Sequence, residues 1–481
     1  MNYSLMGMEV AVVITALALL MIDLWTPAAR KARLGYLAAA VLGVLLVGSF
    51  WVEPSAPVFA FSDSYVVDGL SMFFKRLFLL AGVLVLIMSV DFADRISVGI
   101  TEFYSILLFA LAGMMFAASS NDFVMVFVSL ELITVSFYVL NSFQRSRLLS
   151  LEAGIKYLIM GALSSAFMVF GIALVFGSAG TTNFSQLLLK TPTETLTQPV
   201  FLMGLVLTLF GLSFKIAAFP FQIWAPDVYQ GSPTPATAFL AIGSKAVGFV
   251  LLLRVLFGAV PEVTAHWTTL LIIMSAVTIL YGNLCAIPQR NLKRLLGYSS
   301  IGNAGYLLLG IAAGNESGSS AVLFYLSGYL FTVIAAFAVI SIITRQYQDE
   351  DISILAGLHQ RSPLLAGTLA LSFISLAGIP PLAGFFGKFL LIRSVVVHAA
   401  TPGFALLIAI TIIGVVISFY YYLSVVRSIY WSKSAPELAP IAVTLPMRLV
   451  LYVCAGGILF LGLFPEPVLR LASKAVANLH F

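Results

Sequence analysis

The 481 residues are 61% hydrophobic and only 9% charged, with a formal net charge of +5. A soluble domain carries about a quarter charged residues, so lipid is the solvent for most of this chain. Lipid offers the backbone no hydrogen bonds, and the apolar stretches are long and show no two-residue alternation. A barrel is thereby excluded, and an all-α polytopic bundle is expected.

Taken in chain order with a window of about twenty apolar residues, spans are predicted near 6–25, 34–52, 70–90, 102–118, 122–143, 152–177 and 199–219. They continue near 235–258, 267–286, 296–313, 319–344, 363–397, 405–430 and 447–464, about fourteen in all. Residues Met1 to Met8 lack a basic start, so no cleaved signal is expected. Cys285 and Cys454 lie in apolar stretches without metal or disulfide spacing. There is no glycine-rich phosphate loop, cysteine cluster or histidine cluster, so no cofactor is expected in this chain. The positive charge fits cytoplasmic loops better than nucleic acid.

Charge in the connections tests the count. Arg30, Lys31 and Arg33 follow the first span, Arg145 and Arg147 the fifth, and Arg290, Lys293 and Arg294 the ninth. Arg345 and Arg361 flank the connection after the eleventh, and Arg427 and Lys433 follow the thirteenth. All of these loops follow odd-numbered spans. The alternate loops hold Glu53, Asp63, Glu262 and Glu316, with Lys190 the main exception. The positive-inside rule then places both termini on the periplasmic side of a bacterial inner membrane.

Two spans are interrupted. The seventh runs through Lys215-Ile216-Ala217-Ala218-Phe219-Pro220 into Trp224-Ala225-Pro226-Asp227, and the twelfth through Gly378-Ile379-Pro380-Pro381 into Phe385-Phe386-Gly387-Lys388. Proline removes a donor and clashes with the preceding turn, so both helices must break. Broken helices at membrane depth belong inside protein or beside water. The breaks lie five spans apart, as though spans four to eight were repeated, inverted, as nine to thirteen, with the site at the broken helices. The plainer reading is that prolines merely kink packed helices. The repeat reading divides the chain into 1–100 (spans one to three), 101–260 (first repeat), 261–432 (second, inverted repeat) and 433–481 (span fourteen).

A charge at the bilayer centre costs about 2.5–3.5 kcal/mol on the insertion scale. Glu131, Lys215, Lys245 and Lys388 all lie away from span ends. They are the candidate proton carriers, against the plainer reading of structural ion pairs. Lys156 is a weaker candidate, one turn after Glu152, where a surface pair or a snorkelling stem also fits. Lys75, Arg76 and Arg254 lie nearer span ends and read as structural. His266 and His359 read as loop residues, and His398 could mark an exit. Burial disfavours a lysine's charged form and a nearby carboxylate favours it, so moving the carboxylate can switch the proton. Glu131 and Lys215 are the natural partners, with Lys245 and Lys388 relaying through ordered water. Ser129, Thr134, Ser244, Ser299, Ser300 and Tyr306 could hold that water but are too common a type to single out.

The run Pro220-Phe221-Gln222-Ile223-Trp224-Ala225-Pro226-Asp227-Val228-Tyr229-Gln230-Gly231-Ser232-Pro233, with Lys215 before it, resembles the subunit N family of proton-pumping NADH–quinone oxidoreductase, respiratory complex I. So do Asn291 to Ile301 and Ser375 to Pro380. The similarity covers nearly the whole chain, weakest over about the first hundred and last forty residues. The sister subunits M and L and cation/proton antiporter subunits share the plan. Trp224 to Pro233 lacks the histidines typical of the sisters there, Lys388 stands where subunit M has a glutamate, and the long lateral helix of subunit L is missing. The resemblance implies Glu131 as the carboxylate of span five, Lys215 as its paired lysine, Lys245 as central relay and Lys388 as terminal lysine of the second half-channel. It also implies quinone reduction elsewhere in the complex as the drive, and subunits M and K as neighbours. Span ten offers Asn303 and Tyr306 but no acid, so the halves cannot work identically. The alternatives are a cation/proton antiporter subunit, which sodium dependence would reveal, and a scaffold whose buried charges only fix packing.

Overall fold

The computed structural model describes every residue except 1–2, 53, 55, 346, 348–349, 433–439 and 481. Glu53 and Lys433, two of the loop charges, lie outside the described residues. Among the described residues, thirteen helices are long and apolar enough to cross a membrane. The remaining expected span is the interrupted twelfth, whose first half is a shorter apolar helix, Pro363–Ala377.

The first six spans are α1 Gly7–Asp23, α2 Leu34–Gly48, α3 Gly69–Asp91, α4 Ile100–Ala118, α5 Phe123–Asn141 and α6 Leu148–Ala179. The first broken span is α7 Pro199–Ile216, succeeded by the short helix α8 Trp224–Gly231. Then come α9 Thr234–Ala259, α10 Thr264–Ala286, α11 Leu292–Ala312 and α12 Glu316–Ile343. The second broken span comprises α13 Pro363–Ala377 and α14 Ala383–Val396. The chain closes with α15 Pro402–Trp431, α16 Leu445–Leu463 and α17 Glu466–Val476.

Local sequence sets the starts. Asp68 and Ser71 form a reciprocal capping box on α3, and Asp122, Asn291 and Asn315 accept amides at the starts of α5, α11 and α12. Each cap satisfies an amide that the helix itself cannot pair. Pro199, Pro363 and Pro402 occupy first-turn positions, where the missing amide costs nothing.

Both breaks end on a left-handed residue. Ala217 (φ 56°) closes α7 and Gly378 (φ 88°) closes α13. The Phe219–Pro220 and Pro380–Pro381 bonds are cis. Glycine enters the left-handed region freely, whereas alanine does so at a cost of about 1–2 kcal/mol. At the second break, the α14 residue Gly384 packs so tightly against the Ser375 carbonyl that there is no space for a Cβ.

The helices sort into a core and a rim. The hydrophobic stretch of α9 is 100% buried, whereas that of α1 is only 22% buried. α11 and α12 join α9 at the centre, and α2, α6 and α15 face outward with α1. Within α9 the backbone widens to π-helical turns at Leu240–Ser244 and Arg254–Ala259. Such turns insert an extra residue and rotate the helical face beyond it, and here the first immediately precedes Lys245.

Two elements were not expected. A small antiparallel hairpin pairs Val58–Ala60 (β1) with Tyr65–Val67 (β2), turning through Phe61, Ser62 and Asp63 at positive φ. After the last span, α17 lies against α3 and α12.

Candidate functional site

Helical phase explains the arrangement at the first break. Glu131 and Thr134 are one turn apart on α5, about 60° apart around its axis. Glu131 is half-buried and accepts from Ser165 of α6, while Thr134 is fully buried and accepts from the Lys215 ammonium of α7. In this conformation the direct Glu131–Lys215 pair expected from the sequence is therefore not made. Each charge turns to a hydroxyl, because the two α5 positions face different neighbours. The Lys215 ammonium also lies 5.3 Å from the Phe214 ring centroid and 6.0 Å from that of Tyr157. Aromatic faces of this kind attract a cation without binding it tightly.

The central lysine is fully enclosed. Lys245, just past the π-helical turn, donates to the Ser300 carbonyl and lies 2.6 Å from the Ser300 hydroxyl on α11. Its ammonium is 5.4 Å from the Tyr329 ring centroid. Ser300 in turn meets the Tyr229 hydroxyl of α8 at 2.9 Å. A chain of polar contacts thus joins the middle of the bundle to the helix just past the first break.

Lys388 closes the second break. Its ammonium donates to the carbonyls of Leu376 (2.6 Å) and Ala377 (3.2 Å), the last two residues of α13. Those carbonyls have no helical partner and carry the negative end of the helix dipole. The ammonium also lies 5.0 Å from the ring centroid of Tyr306 on α11.

Between the two lysines runs the polar face of α11. Tyr306 accepts from Asn283 (3.1 Å), which accepts from Tyr421 (2.9 Å). Ser299 meets Tyr422 at 2.5 Å, and Asn303 accepts from Tyr325 at 2.5 Å. Ser300 and Tyr306 are about 9 Å apart along the axis at 1.5 Å per residue. Hydroxyls and amides, each able to donate and to accept a hydrogen bond, fill this interval where an acid is missing. Sequence reasoning saw these types but could not rank them, since their value lies in partners on α8, α10, α12 and α15. Ser129, by contrast, simply bonds the Met125 carbonyl of its own helix (2.7 Å).

Lys156 stands apart from the buried row. Its side chain is 41% exposed, and it pairs with Glu152 and with Asp227, each at 2.6 Å. Asp227 also pairs with Arg294, which contacts Gln230 at 3.2 Å. Asp227 therefore clamps α6, α8 and α11 together. Sequence reasoning missed this role, although the residue lies within the Pro220–Pro233 motif.

Among the other charges, one departs from its sequence-based expectation and others form buried pairs. Lys293, expected as a loop charge, is fully buried and bonds the Ser232 carbonyl (3.1 Å) and Glu350 (3.0 Å). Glu9 on α1 pairs with Lys75 on α3 at 2.8 Å, both with no exposed side-chain surface, and Tyr65 bonds each at 2.9 Å. The signal for Glu9 was available: an acid inside the first apolar stretch, fourteen positions before Asp23 at the far end. Arg254 bonds both oxygens of Asp68, at 3.1 and 2.8 Å. Burial alone would raise the Asp68 carboxyl, but the Arg254 guanidinium and the Ser71 amide hold it below the ordinary carboxylate value. His266 begins α10, His359 contacts the Ile429 carbonyl (2.9 Å), and His398 stacks on Phe404.

Residues 120–460 match the family described as NADH:quinone oxidoreductase/Mrp antiporter, TM. The chain is 39% identical over 478 residues to NADH-quinone oxidoreductase subunit N of Trichlorobacter lovleyi, covering 99% of this chain and 97% of that one. It belongs to the subunit N family. The subunit N of Heliobacterium modesticaldum is 38% identical over 487 residues and is matched end to end, 100% of each chain. Among solved structures, a chain of respiratory complex I from Thermus thermophilus with bound Aureothin superposes with a TM-score of 0.80 at 33% identity, over 97% of this chain and 99% of that one. A chain of the Mrp complex from Dietzia sp. reaches 0.85 at 21% identity, over 98% of this chain and 97% of that one, a likeness of fold alone. The multi-pass membrane bundle read from the sequence is thus the fold of this family.

Proposed function

We propose that this chain is a proton-translocating membrane-arm subunit of an NADH–quinone oxidoreductase, and that it performs no redox step itself. Protons move through Glu131, Lys215, Lys245 and Lys388, driven by quinone reduction elsewhere in the complex. Lys156 acts at the edge of this path. The relatives' names and the complex I likeness support membership of that complex, with subunits M and K as neighbours. Residues 101–260 and 261–432 act as inverted halves after the N-terminal 1–100, and 433–481 brings the last span. Both termini lie on the periplasmic side, opposite the basic loops.

The observation that carries the reading is the row of buried ammonium groups at and between the two helix breaks, each held by a hydroxyl or by carbonyls rather than by a full ion pair. A lysine neutralised by a carboxylate at contact distance would be fixed in its charged form. One held by Thr134 or Ser300 can lose its proton without leaving a buried carboxylate unpaired. At Lys388 the charged form stabilises the open end of α13, so protonation is coupled to the geometry of the break. Movement of Glu131 toward Lys215 would favour the charged lysine, and its return to Ser165 would release the proton inward to Lys245.

The test is quinone-linked NADH oxidation and proton uptake in inverted membrane vesicles, comparing wild type with Lys215→Ala. The expected result is normal assembly with proton uptake and coupled turnover lowered at least about tenfold. Wild-type pumping in the variant would withdraw the path. A second reading, cation/proton antiport, draws on the family description that also covers Mrp antiporters. Sodium-dependent transport would favour it.

A further inference from the structure

A crevice of about 320 Å³ opens between α3, α12, α16 and α17, away from the lysine row. Its lining is apolar along most of its length, and it includes Gly69 at the start of α3 and Leu80 eleven positions further in. At 1.5 Å per residue that is about 16 Å, close to half of the ~30 Å hydrocarbon core. Arg76 lies seven positions in from Gly69, about 10 Å, so about 6 Å of this length continues beyond it to Leu80. Phe50, at its rim, is 59% exposed.

Two cations line it, Arg76 and Lys474. Arg76 is oriented by the Ser49 carbonyl (2.9 Å) and lies 4.6 Å from the Phe50 ring centroid. Lys474 is presented by α17, whose Val468, Leu471 and Ala475 form the apolar stripe that roofs the crevice. The end of α2 and the whole of α17 come after even-numbered spans, so both cations lie on the face opposite the basic loops. Cations are disfavoured on that face, and here a pair of them stands over an apolar slot.

We infer that this crevice binds one anionic phospholipid, its acyl chain beside Leu80 and Ser327 and its phosphate at Arg76 and Lys474. Charge complementarity selects the headgroup, because each basic side chain near a membrane surface favours an anionic lipid by about fivefold. This site is independent of the proton path and uses none of its residues.

The assembly containing this chain would be purified from membranes through a tag on it, incubated with deuterated phosphatidylglycerol or deuterated phosphatidylcholine, washed, and its retained lipid counted by mass spectrometry. Ser327→Trp fills the slot, and Ser327 itself bonds only the Leu323 carbonyl of its own helix (3.0 Å). Wild type is expected to keep one more phosphatidylglycerol per chain than Ser327→Trp. Lys474→Gln, an exposed change that leaves the slot open, is expected to lower phosphatidylglycerol retention about fivefold and leave phosphatidylcholine unchanged. Equal counts in all three proteins would overturn the assignment. So would loss of a co-purifying protein chain in Ser327→Trp, since a neighbouring subunit would then be the occupant.

Discussion

Lys156 lies 2.6 Å from Asp227, an ion pair that ties α6 to the short helix just past the first break. Asp227 meets Arg294 of α11 as well, so one carboxylate holds three helices at the point where the broken span resumes. Asp227→Asn should leave two cations facing a neutral amide and lower stability by about 1–3 kcal/mol. Lys156→Gln should do less, because Lys156 is 41% exposed and exposed pairs contribute little. Thermal stability in detergent would check this, and proton uptake per assembled chain separates a structural from a transport role. A Lys156→Gln defect as large as that of Asp227→Asn would show that Lys156 carries protons itself.

The Glu9–Lys75 pair is buried on both sides. Removing one partner strands the other charge, at a cost of about 3–5 kcal/mol, whereas replacing both by apolar residues can be nearly neutral. Glu9→Leu should sharply reduce the amount of folded chain in the membrane, and the double change Glu9→Leu with Lys75→Met should recover most of it. Thermal stability in detergent is the measurement. If the double variant folds but fails to pump, the pair has a role in transport.

Lys245 and Ser300 offer a test of the relay. Lys245→Ala should abolish coupled proton uptake, at least about a hundredfold if this lysine carries the proton. Ser300→Ala should be milder, because the Ser300 backbone carbonyl still accepts from Lys245. Assembly should survive Ser300→Ala. Equal, complete loss in both would place the Ser300 hydroxyl, and its contact with Tyr229, in the path alongside the lysine.

The second break should be intolerant of volume. Gly384→Ala puts a methyl against the Ser375 carbonyl, a backbone group that cannot swing aside. The expected cost is about 1–3 kcal/mol of overpacking, with the junction between α13 and Lys388 displaced. Proton uptake should fall more steeply than the amount of assembled protein. A variant with normal uptake would mean that the junction's fine geometry is not needed for transport.

Sequence by itself determined the solvent, the number of crossings and the places where two of them break. Those are consequences of composition, of stretch length against bilayer thickness, and of proline chemistry at Pro220 and Pro380, all of which act locally. It also singled out Glu131, Lys215, Lys245 and Lys388, because a charge in a long apolar stretch is conspicuous in one dimension. Partnership lay beyond it. Thr134, not Glu131, receives Lys215 because of where α6 and α7 sit around α5. Ser300 outranks Ser129 because one faces Lys245 and the other its own helix. Lys293 looked like a loop charge, and the clamp made by Asp227 was invisible, until the helices around them closed. The crevice beside Lys474 exists only because α17 folds back over α3. Burial and hydrogen-bond partners are properties of pairs of helices far apart in the chain, and only the packed bundle decides them.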